Sequence, residues 1–187
     1  MKYNIIDDII IGLMIVFLFY LFNKLESKEP NYDILTPRAN NNVVIVDKKL
    51  YPYVMDIFKD IKSFSYDNTI DSTIFVYKNL YEIEKISISE EDEMISERAA
   101  VTHFWKGIDG KIRVRIVVNY NMIQKPNYII YSVLLHEIGH AAFKFEHYEE
   151  ELDLMNGVCG VTYDNYLDIV NSFYFNPHKY KKLNINL

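Results

Sequence analysis

The chain has almost no cysteine: Cys159 is the single one in 187 residues. That excludes an intrachain disulfide framework and any zinc site built from several thiolates, so a bound metal would have to be held by histidine and carboxylate. A basic surplus is missing as well. Lys plus Arg number 20 against 26 Asp plus Glu, a formal net charge of −6, and the one basic cluster is Lys179, Lys181 and Lys182. Proteins that grip nucleic acid carry a basic patch or stripe, so no nucleic-acid partner is expected, and the tail lysines should be solvated or touch acidic lipid headgroups. No internal repeat is apparent, which argues against a repeat architecture. What is left is a chain of single-domain length, 50% hydrophobic, enough for one core.

The longest apolar run lies at the N-terminus, from Ile9 to Phe22, and reaching back over Asp7 and Asp8 to Tyr3 brings it to spanning length, for which roughly 20 residues are needed. No small-x-small cleavage site follows in Asn23-Lys24-Leu25-Glu26-Ser27, so residues 1–22 are expected to be an uncleaved membrane anchor rather than a signal peptide. Lys2 precedes the run while Lys24, Lys28 and Arg38 follow it, which by the positive-inside rule puts the C-terminal domain on the cytoplasmic side. Residues 23–42, with Pro30, Pro37 and the Asn40-Asn41-Asn42 run, read as a tether; 43–175 form the domain and 176–187 a basic tail. Deleting residues 1–22 should leave a soluble, folded protein, checked by sedimentation and circular dichroism; aggregation would assign the run to the domain core.

From Val43 onward the periodicity changes from element to element. A β-branched run, Val43 to Val46, precedes Leu50 to Phe64, where Leu50, Val54, Ile57, Phe58, Ile61 and Phe64 recur at helical spacing. Thr73–Tyr77, Ile83–Ile88 and Arg98–Trp105 read as strands. Gly107-Ile108-Asp109-Gly110 is a turn signal, and with Lys111–Asn119 after it the pair forms a hairpin. Ser89 to Glu93 is an acidic block, read as the capped first turn of a short helix in preference to a calcium loop. Pro126 and Asn127 open the most apolar helix, Tyr128 to about Phe143, and Thr162 could cap a last one, Tyr163–Tyr174, with Tyr163, Tyr166, Leu167, Val170, Phe173 and Tyr174 on one face.

Inside the apolar helix lies His136-Glu137-Ile138-Gly139-His140. Residues four apart share a helix face, so both imidazoles can reach one ion, while Glu137, turned about 100° from His136, is placed beside the ion rather than on it. Such a set suits hydrolysis of an amide: the metal activates water and polarises the carbonyl, and the carboxylate acts as general base. Burying a His-Glu-His group on an apolar helix also calls for a compensating partner such as a metal.

The stretch HEIGHAAFKFEHYEEELDLMNG resembles the active-site segment of the metzincin zinc metalloproteases, most closely the matrixin branch. The resemblance implies an α/β (α+β) fold with a five-stranded twisted mixed sheet, an active-site helix and a C-terminal helix, here preceded by the membrane helix. It implies one Zn²⁺ held by His136, His140 and His147, Glu137 as general base, and Met155, eight residues after His147, as the Met-turn floor beneath the metal. By the same resemblance a peptide or protein substrate would add as an antiparallel strand along Arg98–Trp105, and Val158–Tyr163 would wall the pocket beyond the scissile bond. The implied function is that of a membrane-tethered zinc-dependent endopeptidase.

Two positions depart from the family pattern. Glu146 stands where the family has its third histidine, one residue before His147, and Phe143 replaces the glycine that breaks the family's helix. Were the helix to continue, His147 would lie about 10 Å further along the axis than His140, so the chain must leave the helix near Phe143 to Phe145. Glu146, then Glu149, Glu150, Glu151 or Asp153, are the other candidates for third ligand. A gluzincin-like enzyme would instead take Asp164 or Asp168 from the last helix. A non-enzymatic membrane protein with a degenerate motif is the remaining alternative. His103 and His178 have no ligand spacing to another histidine, so a second, structural zinc is not expected, and no cysteine precedes the helix to act as a latency switch.

Overall fold

The computed structural model describes residues 32–35, 43–65, 76–89, 98–157 and 160–185. The expected anchor, the acidic residues Glu90 to Glu93, Val158 and Cys159 lie outside them. Among the described residues no helix is long and apolar enough to cross a membrane. The chain divides into two units, Met1–Asn31 and Tyr32–Leu187, and the second is the α/β body.

That body is a mixed sheet with three helices. Short strand β1, Tyr32–Leu35, lies within the expected tether and pairs antiparallel along the outer edge of β2, Val44–Asp47. Beyond β2 come β3, Ile83–Ile88, then β5, Ile112–Val118, then β4, Ala100–Lys106, at the far edge. β2, β3 and β5 run parallel; β4 is antiparallel to β5 through the expected hairpin. The turn closes with the Gly110 N–H donating to the Gly107 carbonyl at 2.9 Å, and Gly110 takes φ +76°, a value that suits glycine.

Of the five strands expected from Val43 onward, four form. Of the fifth, Thr73–Tyr77, residues 73–75 lie outside the described part, and Tyr77 opens a 3₁₀ turn, Tyr77–Glu82, closed by the Asn79 N–H on the Val76 carbonyl at 2.8 Å. That turn carries Leu80 and Tyr81 into the core.

Helix α1, Tyr51–Ser65, covers β2 with the predicted stripe: Leu50, Val54, Ile57, Phe58 and Ile61 are buried and Phe64 is half-buried. Helix α2, Asn127–Phe143, packs over β4 and β5 and is buried along most of its length, as its apolarity predicts. Beneath the helices one row of side chains crosses the sheet in register: Val46, Ile86, Ile116 and, on the edge strand, Thr102. The row is apolar until its last member. Period-two alternation puts Thr102 on the helix side of β4, where its hydroxyl faces α2 rather than solvent.

Helix α3, Tyr166–Phe175, starts later than expected because the Asn165 side chain accepts from the Thr162 N–H at 2.7 Å and donates to the Gly160 carbonyl at 3.0 Å, holding 162–165 in a turn. Its buried face is Ile169, Val170, Phe173 and Tyr174; Tyr163 and Leu167, expected on that face, are exposed. The tail is not a solvated appendage. Lys179 pairs with buried Asp153, and the Lys182 ammonium donates to the Phe143 carbonyl at 2.8 Å and lies 4.5 Å from the Phe145 ring centroid.

Candidate metal centre

α2 ends at Phe143, within the stretch where the position of His147 requires an end, and does so without a glycine. Lys144 adopts φ 59°, ψ 31°, the left-handed conformation, and its N–H donates to the His140 carbonyl while that of Phe145 donates to the Gly139 carbonyl, both at 3.1 Å. For a residue with a Cβ this conformation costs on the order of 1 kcal/mol, offset here by the two bonds that satisfy the last carbonyls of the helix. The reversal carries the chain back along the face that bears His136 and His140.

His136, His140 and His147 converge. Each offers a ring nitrogen, and these atoms lie within 4.8 Å of one another; ring centroids are 4.6 to 5.2 Å apart. His136 Nδ1 lies 2.6 Å from the Leu154 carbonyl and His140 Nδ1 lies 2.5 Å from the Phe145 carbonyl. A carbonyl oxygen can only accept, so both Nδ1 atoms carry the proton, and both Nε2 atoms present bare lone pairs. Those two atoms are 3.0 Å apart. Two lone pairs aimed at one point repel, and a cation between them removes the conflict, so the donor set fits a metal ion. Burial holds both imidazoles well below their usual range, to about 4, so neither satisfies the arrangement by protonating near neutrality.

Glu137 is buried beside the two histidines. Thr102 Oγ1 donates to its Oε2 at 2.6 Å and also lies 3.1 Å from its main-chain carbonyl, tying the helix to the edge strand at the carboxylate. Burial pushes the Glu137 carboxyl up, and the Thr102 bond partly opposes it.

Met155 is fully buried beneath α2, against Gly139. A Cβ at position 139 would stand 2.7 Å from the Met155 Sδ and 3.3 Å from the Phe173 ring, so the second variable position of the motif admits no side chain without movement. Gly139→Ala gains about 1 kcal/mol of helix propensity but incurs overpacking of about 1 to 3 kcal/mol. The expected result is a net destabilisation of about 1 kcal/mol by urea titration; a stabilised variant would show that Met155 yields freely.

The acidic candidates for third ligand are not brought to this group, which among the described residues contains the three histidines alone. Asp153 is turned away: its Oδ1 accepts from the Met155 N–H at 2.8 Å and its Oδ2 from the Tyr180 hydroxyl at 3.2 Å. Asp164 and Asp168 are exposed. Thr102 and the carbonyls of Phe145 and Leu154 escaped the sequence reading, and Asp153, a candidate ligand there, takes a supporting role instead. Alternation along the edge strand could have flagged Thr102; Asp153, among Glu149, Glu150 and Glu151, carries no mark that separates it from solvated neighbours. Set against known proteins, the chain matches no family model, no curated protein and no solved structure.

Proposed function

We propose that this chain is a zinc-dependent endopeptidase of metzincin-like architecture, tethered to a membrane by its N-terminal run. The observation that carries the reading is the pair of Nδ1-protonated imidazoles with facing Nε2 atoms, completed by His147 and flanked by a buried carboxylate. His136, His140 and His147 would hold the ion. Zinc, when bound, supplies a Lewis acid and lowers the pKa of water to about 7.

The remaining steps belong to the chain's own groups. Thr102 occupies one oxygen of Glu137, so Oε1 is the atom that would take the proton of the attacking water and hand it to the leaving amine. Thr102 lies on β4, which is terminal in the sheet order, so a peptide adding antiparallel to that edge would run past the carboxylate. Backbone pairing of that kind favours an extended stretch of protein over a small amide.

The test is metal uptake by the metal-free chain. About one zinc per chain should bind, and the melting temperature should rise with zinc, since a ligand that binds only the folded state stabilises it by about 2.7 kcal/mol at 100 times its Kd. An unchanged melting temperature would reject the reading. Zinc uptake without cleavage of any unstructured protein would leave the non-enzymatic alternative.

A further inference from the structure

The orientation of both helical imidazoles depends on two carbonyls that belong to no helix or strand, those of Phe145 and Leu154. Beyond their local turns, both carbonyls are braced by one distant segment, residues 177–183. Phe145 forms an antiparallel bridge with Lys182; the Glu146 N–H donates to the Lys181 carbonyl at 2.9 Å and the Leu183 N–H to the Lys144 carbonyl at 2.5 Å. Leu154 lies between Asp153 and Met155, which are joined by the Asp153 carboxylate, and that carboxylate is gripped by Lys179 and the Tyr180 hydroxyl. The Tyr180 ring is buried between Phe145 and Phe173, at centroid distances of 4.8 and 5.8 Å.

We infer that residues 177–183 are a clamp that sets the geometry of the metal centre, with Lys179 and Asp153 as its positioning pair; this rests on the metal-binding reading above. Asp153 is 1% exposed, and an ion pair at such depth roughly breaks even against desolvation. Removing the ammonium alone leaves that buried carboxylate uncompensated, which disturbs the arrangement and lowers stability together. Losing the Lys179 ammonium frees the Asp153 carboxylate to draw on other donors, shifts Leu154, and lets the His136 ring rotate away from its partner. The clamp reaches His140 through Phe145 by a separate set of bonds, so removing one residue weakens one ligand and leaves the other held.

The experiment measures Zn²⁺ affinity by chelator competition and the visible spectrum of the Co²⁺-loaded full chain, which reports ligand geometry. Lys179→Met should lower affinity about 10- to 100-fold, the usual effect of losing support behind a metal ligand, and should change the cobalt spectrum with circular dichroism preserved. Lys179→Arg, which keeps the charge, should restore most of both. Should Lys179→Met fail to fold, Tyr180→Phe, which removes one hydrogen bond to Asp153 and keeps the ring, carries the same two readouts with a smaller loss. A folded variant that binds as tightly as the parent with an identical spectrum overturns the clamp alone. A parent chain that binds neither ion overturns the metal reading, and the clamp with it.

Discussion

Glu137→Gln is expected to slow peptide cleavage by about 100- to 10,000-fold while zinc content stays at the parent level, the range that a positioned general base contributes. The amide matches the carboxylate in size and can still accept from Thr102 Oγ1, which now lies 2.6 Å from Oε2, so packing between α2 and β4 survives. What is lost is the basic oxygen. The variant also relieves a burden, because the buried carboxylate is held above its usual range by desolvation, and an uncharged amide needs no compensation at that depth. Thermal stability should therefore be equal to the parent's or higher. Cleavage at parental speed would rule out Glu137 as the base whatever the metal content.

On the proposed reading His147→Ala should lower zinc affinity by more than the ~100-fold typical of a lost supporting contact, because one of the three proposed ligands is gone. His147 is exposed and stands over Gly157, where a Cβ would meet its ring at 3.3 Å, so its removal leaves no cavity and the fold should be unaffected. Asp164→Ala and Asp168→Ala serve as controls. Both carboxylates are exposed, and zinc content after dialysis should match the parent in each. Retention in His147→Ala with loss in either aspartate variant would move the third ligand to α3.

The spacing of apolar residues located α1, β3, the hairpin and α2 to within two residues, because each has one buried face and a period that follows from it. It missed the 3₁₀ turn that opens at Tyr77, where a strand was expected to end, and it failed at α3, where Leu167 and Tyr163 have the size of core residues but Ile169 takes the buried place. His136, Glu137 and His140 were legible from helical geometry alone. His147 required a chain reversal whose residue, Lys144, is not one that announces a left-handed turn. The supporting roles were not legible for a different reason: two belong to main-chain carbonyls, which every residue has, and that of Asp153, legible only as a candidate ligand, runs through a lysine 26 positions later in the chain.

The hairpin and α2 occupy one continuous stretch, Ala100 to Phe143, and β5 within it is paired on both sides. Short-range contacts of this kind form early and open last, so amide hydrogen exchange should be slowest along β5 and the centre of α2. Thr102, Glu137, His136 and His140 all belong to this slow unit. His147 belongs to the stretch after Lys144, whose described residues form no helix or strand before Tyr166 and whose amides should exchange much sooner. An ion would then leave by way of its third ligand, through local opening of that stretch, while base and helical ligands keep their places, and its rate of departure should follow exchange at residues 146 to 157 and be nearly independent of the rate of global unfolding.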